Sequence, residues 1–369
     1  ATGSWASASA RGWRSARTGR ASASGSASRS AWAASPSLLC ALMACAALST
    51  ARLAHIDFSR LFAPYFSASG SVTLLCVGLS AFVWVAQLAR RRADDPLRIV
   101  AGRLRARMPL LLLPLVVFPL FMVAYTCAKT AIPFLVGYRW EGFWAAGDRM
   151  IFGDDAWRIA HRWLGTRWMP AWEWLYTVGW GGALAFTVAL VPLNARPRTV
   201  AVFYTAMLAS WLVGGFLFAY AFSAAGPVFA HLTDPKLGAS FTELRQVLDN
   251  SLTPNGSIRL TQRYLLDAFD AHIAFKGGGI SAFPSMHIAT VSIYVMAARR
   301  TRWIVPAVLF WTVIFVGSGY FGYHYWVDGL AAAAVAAVCW VLAERIFAER
   351  LLPRELEDGA EAPVKVERL

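Results

Sequence analysis

Charge is scarce in this chain. Only 15% of its 369 residues are Asp, Glu, Lys or Arg, against roughly 25% in ordinary soluble domains. Cysteine is scarce as well. The five are Cys40, Cys45, Cys76, Cys127 and Cys339, and no two form a C-x-x-C pair. That argues against a disulfide framework and a cysteine-based metal cluster. Zinc-finger spacing is missing, and so is a basic helix with an aromatic reading face. The net charge of +14 is therefore not the footprint of a nucleic-acid binder. No repeated halves of the transporter kind are visible.

Apolar residues dominate instead. They make up 57% of the chain, and the mean hydropathy is +0.48. Many separate runs approach the ~20 residues needed to cross a ~30 Å hydrocarbon core. The sequence predicts an all-α, polytopic membrane protein. Candidate spans lie near 37–55, 71–90, 109–128, 172–193, 200–223, 284–298, 303–322 and 328–347. The first is the weakest, being short and containing Arg52.

Four regions follow from composition. Residues 1–36 are rich in Ser, Ala and Arg and cannot build a core, so disorder is expected there. They open on Ala1 rather than Met, as either a processed chain or one with an expression remnant would. Residues 37–108 form an N-terminal transmembrane region with a basic loop, 109–348 the main transmembrane domain, and 349–369 a polar tail.

The basic segments set the orientation. "RRRADDPLRIVAGRLRARM", "NARPRT" and "ARRTR" fall on one side if all eight spans are real, together with both termini. The positive-inside rule puts that side in the cytoplasm. The two longest loops, roughly 129–171 and 224–283, then lie outside, mix charge with aromatics, and suit short interfacial helices. "SAFPSMH" (281–287) and "YFGYHYWVD" (320–328) emerge on that same face.

These two stretches carry the chemistry. His324 and Asp328 are four apart, on one face of a helix start. A carboxylate there can hold a ring nitrogen, fix the tautomer and stabilise an imidazolium. His287 is the one group in its stretch that titrates near neutral pH. Zinc is one reading, with His287, His324 and Asp328 as three ligands. A proton relay in a transporter is another. Phosphate is the third: Ser285 and amides at a helix start are donors that suit an anion better than a cation.

"SAFPSMH" with "HYWVD" resembles the type 2 phosphatidic acid phosphatase superfamily, and within it the branch of yeast-type inositol phosphorylceramide synthases and their bacterial relatives. The likeness covers roughly 110–345, most firmly 277–330. It implies a six-helix transmembrane core, here preceded by two further transmembrane helices, with catalysis on one membrane face. It implies His324 as the nucleophile that becomes phosphohistidine and Asp328 as the group that orients it. His287 would move protons to and from the exchanging alcohols, and Ser285 with neighbouring amides would hold the phosphate. Asp148 would order the outer loop. No cofactor and no metal are implied.

The departures bear on the reaction. The superfamily's phosphatases carry Ser-Arg ahead of the last histidine, where this chain has Gly317 and Ser318. Their first basic motif is absent as such; the nearest bases are Lys129 and Arg139. Arg139 is the first choice for a phosphate contact, then Lys276 and Lys129. Gly279 and its two glycine neighbours either let backbone approach a phosphate or form a flexible entry to the helix. A diester group carries one negative charge fewer than a monoester. The expected activity is thus transfer of an alcohol-phosphate headgroup, with inositol phosphate as the specific candidate, from a phospholipid donor to a lipid alcohol. The alternative is a lipid phosphate phosphatase acting on phosphatidic acid or a polyprenyl (pyro)phosphate. The expected location is a bacterial plasma membrane, with the site on its outer face.

Overall fold

The apolar runs all become helices in the computed structural model, which describes residues 35–347. The Ser/Ala/Arg-rich stretch before Ser35 and the polar tail lie outside the described residues. In chain order the helices are α1 Ser35–Ala54, α2 Ser59–Arg90 and α3 Pro96–Leu135; α4 Glu141–Phe152 and α5 Ala156–Leu164; and α6 Met169–Asn194 and α7 Pro197–Ala221. Then follow α8 Pro235–Ser240, α9 Thr242–Ser251 and α10 Ser257–Asp270. The last three are α11 Met286–Ala298, α12 Ile304–Tyr320 and α13 Trp326–Ile346.

Six of these are long and apolar enough to cross a membrane: α1, α2, α3, α6, α7 and α13. Helices α11 and α12 are equally apolar but have 13 and 17 residues. The protein is therefore an all-α polytopic membrane protein. Its short helices α4, α5, α8, α9 and α10 occupy the two long connections, as the mixed composition there predicts.

Local sequence explains the boundaries. Asp95 starts α3 by accepting from the Arg98 amide at 3.3 Å, with Pro96 in the first turn. Helix α3 continues past residue 128 to Leu135, because Thr130, Ala131 and Ile132 face the interior. Lys129 consequently sits on a helix, not in the outer loop where the sequence reading put it. Asp234 starts α8 through the Lys236 and Leu237 amides at 2.7 and 2.9 Å.

Helix α13 packs on α7 and α11, and α11 packs on α12. The run "AAAAVAA" in α13 permits that close approach, as small-residue stripes do between membrane helices. Gly329, two residues before that run, brings α13 close to α12: a Cβ there would lie 2.9 Å from the Phe315 ring. Helix α2 packs along α3 and α6. Three helices widen into π turns, at Leu113–Val117, Leu175–Gly179 and Val213–Phe218. Such bulges gather at functional sites, and each of these three contributes residues to one cavity.

Candidate active site

His324 lies in the turn between α12 and α13 and is almost fully buried. Its backbone is fixed first. Gly322 adopts a left-handed φ of +65°, and the amides of Tyr323 and His324 both donate to the Ser318 carbonyl, at 3.1 and 3.2 Å. Ser318 thus supports the turn through its backbone. Its hydroxyl is occupied by the Phe315 carbonyl at 2.7 Å.

The first amides of α13 are taken by acids. Asp328 reaches back to the Tyr325 amide at 2.9 Å. Asp148 accepts from Trp326 and Val327 at 3.1 and 3.0 Å. Glu141 accepts from the Tyr325 hydroxyl at 2.7 Å and from the Gly226 amide at 2.9 Å. Of the donors that a helix start leaves open, Tyr325 is met by Asp328 of α13 itself, and Trp326 and Val327 by Asp148 of α4. Asp148 therefore anchors the helix that carries Asp328. Glu141 does related work, and nothing in its sequence neighbourhood marked it. Burial pushes both carboxyls up, Glu141 to about 7 and Asp148 to about 7.

The His324 ring is held by a backbone group. Its Nδ1 lies 2.7 Å from the Ala282 carbonyl. A carbonyl can only accept, so Nδ1 carries the proton and Nε2 keeps its lone pair. Asp328 Oδ2 lies 3.8 Å from Nδ1, within ion-pair reach but beyond a hydrogen bond. The sequence reading gave the orienting hydrogen bond to Asp328; the geometry gives it to Ala282, because Asp328 Oδ2 is already turned to the Tyr325 amide. Burial, partly opposed by the bond to Ala282, pushes the His324 imidazole down to about 3. It is neutral near neutral pH.

His287 stands in the first turn of α11, its ring centroid 5.8 Å from that of His324. Aromatic faces hold it. Tyr176 stacks on it at 4.9 Å and 12° between planes, and Trp180 lies at 4.1 Å. The Trp180 indole also donates to the His287 carbonyl at 3.2 Å. Tyr176 fits because residue 317 is glycine: a Cβ there would come within 2.8 Å of the Tyr176 ring. Neither aromatic stood out in the sequence, since 17 Trp and 11 Tyr offer no contrast.

Ser285 occupies the position before α11, yet its hydroxyl makes no cap. The residue is fully buried, and among the described residues its hydroxyl has no hydrogen-bond partner. Its amide donates to the Asp328 carbonyl at 3.3 Å, joining the two motifs.

Both histidines line a cavity of about 580 Å³. Lys129, Lys276 and residues Gly277–Gly279 line it with them. The glycine run is used for packing. Gly279, at φ +87°, lies so close to α3 that a Cβ would approach the Thr130 amide to 2.9 Å. The Gly277 amide donates to the Tyr65 hydroxyl at 2.8 Å, and the Gly278 amide to the Phe275 carbonyl at 2.8 Å. Lys276 lies 5.9 Å from the centroid of the Tyr65 ring. Arg139 is elsewhere, in a second cavity with Glu141, Arg149, Asp234 and Lys236. The sequence reading grouped it with the histidines; the structure separates them, because α3 ends at Leu135 and the chain turns at Gly137, φ +64°. Among the described residues, no group of three or more His, Cys, Asp or Glu side chains could hold a metal ion.

No curated protein and no solved structure matches the chain. A family does: the PAP2 superfamily matches over residues 149–342, just over half of the chain, which includes both histidines and Asp328. With its long apolar helices, the chain belongs to the PAP2 superfamily of membrane phosphatases and phosphotransferases.

Proposed function

We propose that this protein cleaves a phosphate ester of a membrane lipid through a phosphohistidine on His324. The observation that carries the proposal is the pairing of two imidazoles, 5.8 Å between centroids, at a cavity that also holds two lysines. His324 Nε2 attacks phosphorus, and the bond from phosphorus to the leaving oxygen breaks. His287, protonated, gives that oxygen its proton. Water or an alcohol then attacks phosphorus, His287 takes its proton, and the nitrogen–phosphorus bond breaks. Asp328, at 3.8 Å, balances the charge that develops on the ring. Ser285 and the two lysines contact the phosphate.

With water as acceptor, this is a lipid phosphate phosphatase acting on phosphatidic acid or a polyprenyl (pyro)phosphate. Superfamily membership supports that reading with no second lipid required. With a lipid alcohol as acceptor, it is a headgroup transferase, and inositol phosphate from phosphatidylinositol is the candidate group. One observation favours this second reading: the cations of the cavity are Lys129 and Lys276, while Arg139 lies apart. A dianionic monoester is commonly met by arginine forks. Kinship with the inositol phosphorylceramide synthase branch belongs to the same reading.

The proposed topology has eight crossings, a six-helix core preceded by α1 and α2, with the basic loops in the cytoplasm and the site on the outer face of a bacterial plasma membrane. Neither a metal nor a cofactor enters the chemistry. Purified protein should be given labelled phosphatidic acid, a polyprenyl phosphate and phosphatidylinositol, with and without ceramide or diacylglycerol. Acceptor-independent release of inorganic phosphate supports the phosphatase. A labelled phospholipid that forms only with acceptor supports the transferase. Turnover of none of these in folded protein would overturn both.

A further inference from the structure

The cavity that holds the histidines is far deeper than a phosphate requires. On α3 its lining runs from Lys129 down to Pro114, and on α6 from Tyr176 down to Ala189. At 1.5 Å per residue these are about 20 Å each. Half of a ~30 Å hydrocarbon core is about 15 Å, so the lining is long enough for a lipid's hydrocarbon as well as its phosphate. Its volume is about 580 Å³, room for hydrocarbon as well as a phosphate.

The third wall is α2, which lies outside the segment that matches the superfamily. It contributes Tyr65, Ser69, Val72 and Thr73. It is fixed at both levels. Near the histidines, the Tyr65 hydroxyl pairs with that of Thr126 at 2.6 Å and accepts from Gly277. Deeper, the Ser69 hydroxyl donates to the Pro114 carbonyl, inside the π turn of α3. Below Val72 and Ala189 a separate apolar cluster of Cys76, Ala189 and Leu193, backed by Leu104 and Leu111, closes the floor. Leu74, Leu75, Leu79 and Phe82 of α2 are exposed.

We infer that this cavity is a closed-floor slot for hydrocarbon of the lipid substrate, that α2 is its third wall, and that Val72, Pro114 and Ala189 set the chain length accepted. The inference rests on the lipid phosphate reading above and adds which part of the lipid is selected. Occupancy is tested without turnover. The His324→Ala protein in nanodiscs is photolysed with a long-chain alkyl phosphate carrying a diazirine at the far end of its chain, and labelled residues are mapped. Labelling at Val72, Thr73 or Cys76 and around Ala189, competed by excess long-chain alkyl phosphate and not by a short-chain one, is the expected result. Labelling confined to Leu74, Leu75 and Leu79, or not competed, would overturn the slot. Length selection is tested by Ala189→Phe, with Val72→Phe as the second variant should the first not fold. The ratio of long- to short-chain turnover should fall about tenfold, as a filled site loses on the order of a few methylene contacts; an unchanged ratio contradicts the ruler. Absence of turnover on any lipid phosphate would sink the enzymatic reading while leaving the labelling experiment to judge the slot.

Discussion

The Ala282 carbonyl accepts the Nδ1 proton of His324 at 2.7 Å. A backbone atom from the loop before α11 thus selects the tautomer of a side chain before α13. It leaves Asp328 with electrostatics alone, at 3.8 Å.

This division of labour predicts the behaviour of Asp328→Asn. Asn retains an acceptor for the Tyr325 amide, and the tautomer stays set by Ala282. Only the charge is lost. At an effective dielectric of ~20 that charge is worth about 4 kcal/mol at this distance, so turnover should fall by up to about 10³-fold. His324→Ala should abolish turnover in folded protein, because the nucleophile is gone. Equal losses in the two variants, read as kcat in single-turnover assays, would contradict the separation.

The lysines and Arg139 should separate in kinetics. Lys129→Gln and Lys276→Gln each remove a cation from the histidine cavity and should lower kcat/KM by about 10- to 10²-fold, the scale of a lost charged contact. Arg139→Gln, in the other cavity, should stay within about twofold. A larger effect at Arg139 than at either lysine would show that substrate phosphate sits elsewhere.

The aromatic clamp on His287 predicts a contrast within one position. Tyr176→Phe keeps the stacked face and should retain most activity. Tyr176→Leu loses it and should slow turnover about tenfold while moving the alkaline limb of the pH–rate profile to lower pH, since an aromatic face favours the protonated ring by roughly 1 kcal/mol. Gly317→Ala should resemble Tyr176→Leu, because its Cβ displaces the Tyr176 ring. A lowered rate with an unmoved pH profile would reduce the clamp to packing.

The buried acids predict how stability varies with pH. Glu141 and Asp148 are raised to about 7 by burial, above the roughly 4 of an unfolded carboxyl. Between those values the folded chain binds more protons than the unfolded one. Their contribution is therefore full below about pH 4 and is lost as pH rises through about 7. The unfolding midpoint in detergent should decline from about pH 5 to about pH 8, and Glu141→Gln should flatten the decline. A midpoint that rises over that window would contradict the assignment.

The sequence exposed His287, His324 and Asp328 because titratable groups at the ends of apolar runs are costly and therefore conspicuous. It exposed the helices because their runs are long. Ala282 was illegible, since its contribution is a carbonyl that any residue carries. Tyr176 and Trp180 were hidden among many aromatics, and their partner Gly317 read only as a departure from a pattern. Glu141 and Asp148 sit on a short helix, and only the fold brings them to the start of α13. Arg139 was misplaced because ten residues of separation from Lys129 says nothing about direction once a helix ends between them. The face of α2 that joins the cavity was illegible for another reason: the helix is apolar all round, so its sequence cannot mark one side as interior.

The most direct test of the account is to trap the intermediate. Purified protein is mixed with lipid phosphate labelled at phosphorus, quenched in alkali within one turnover, digested, and the labelled peptide identified. A base-stable, acid-labile phosphoryl group is expected on the peptide that contains His324, absent from His324→Ala. Label on another residue, or turnover with no labelled protein at any time point, would contradict it.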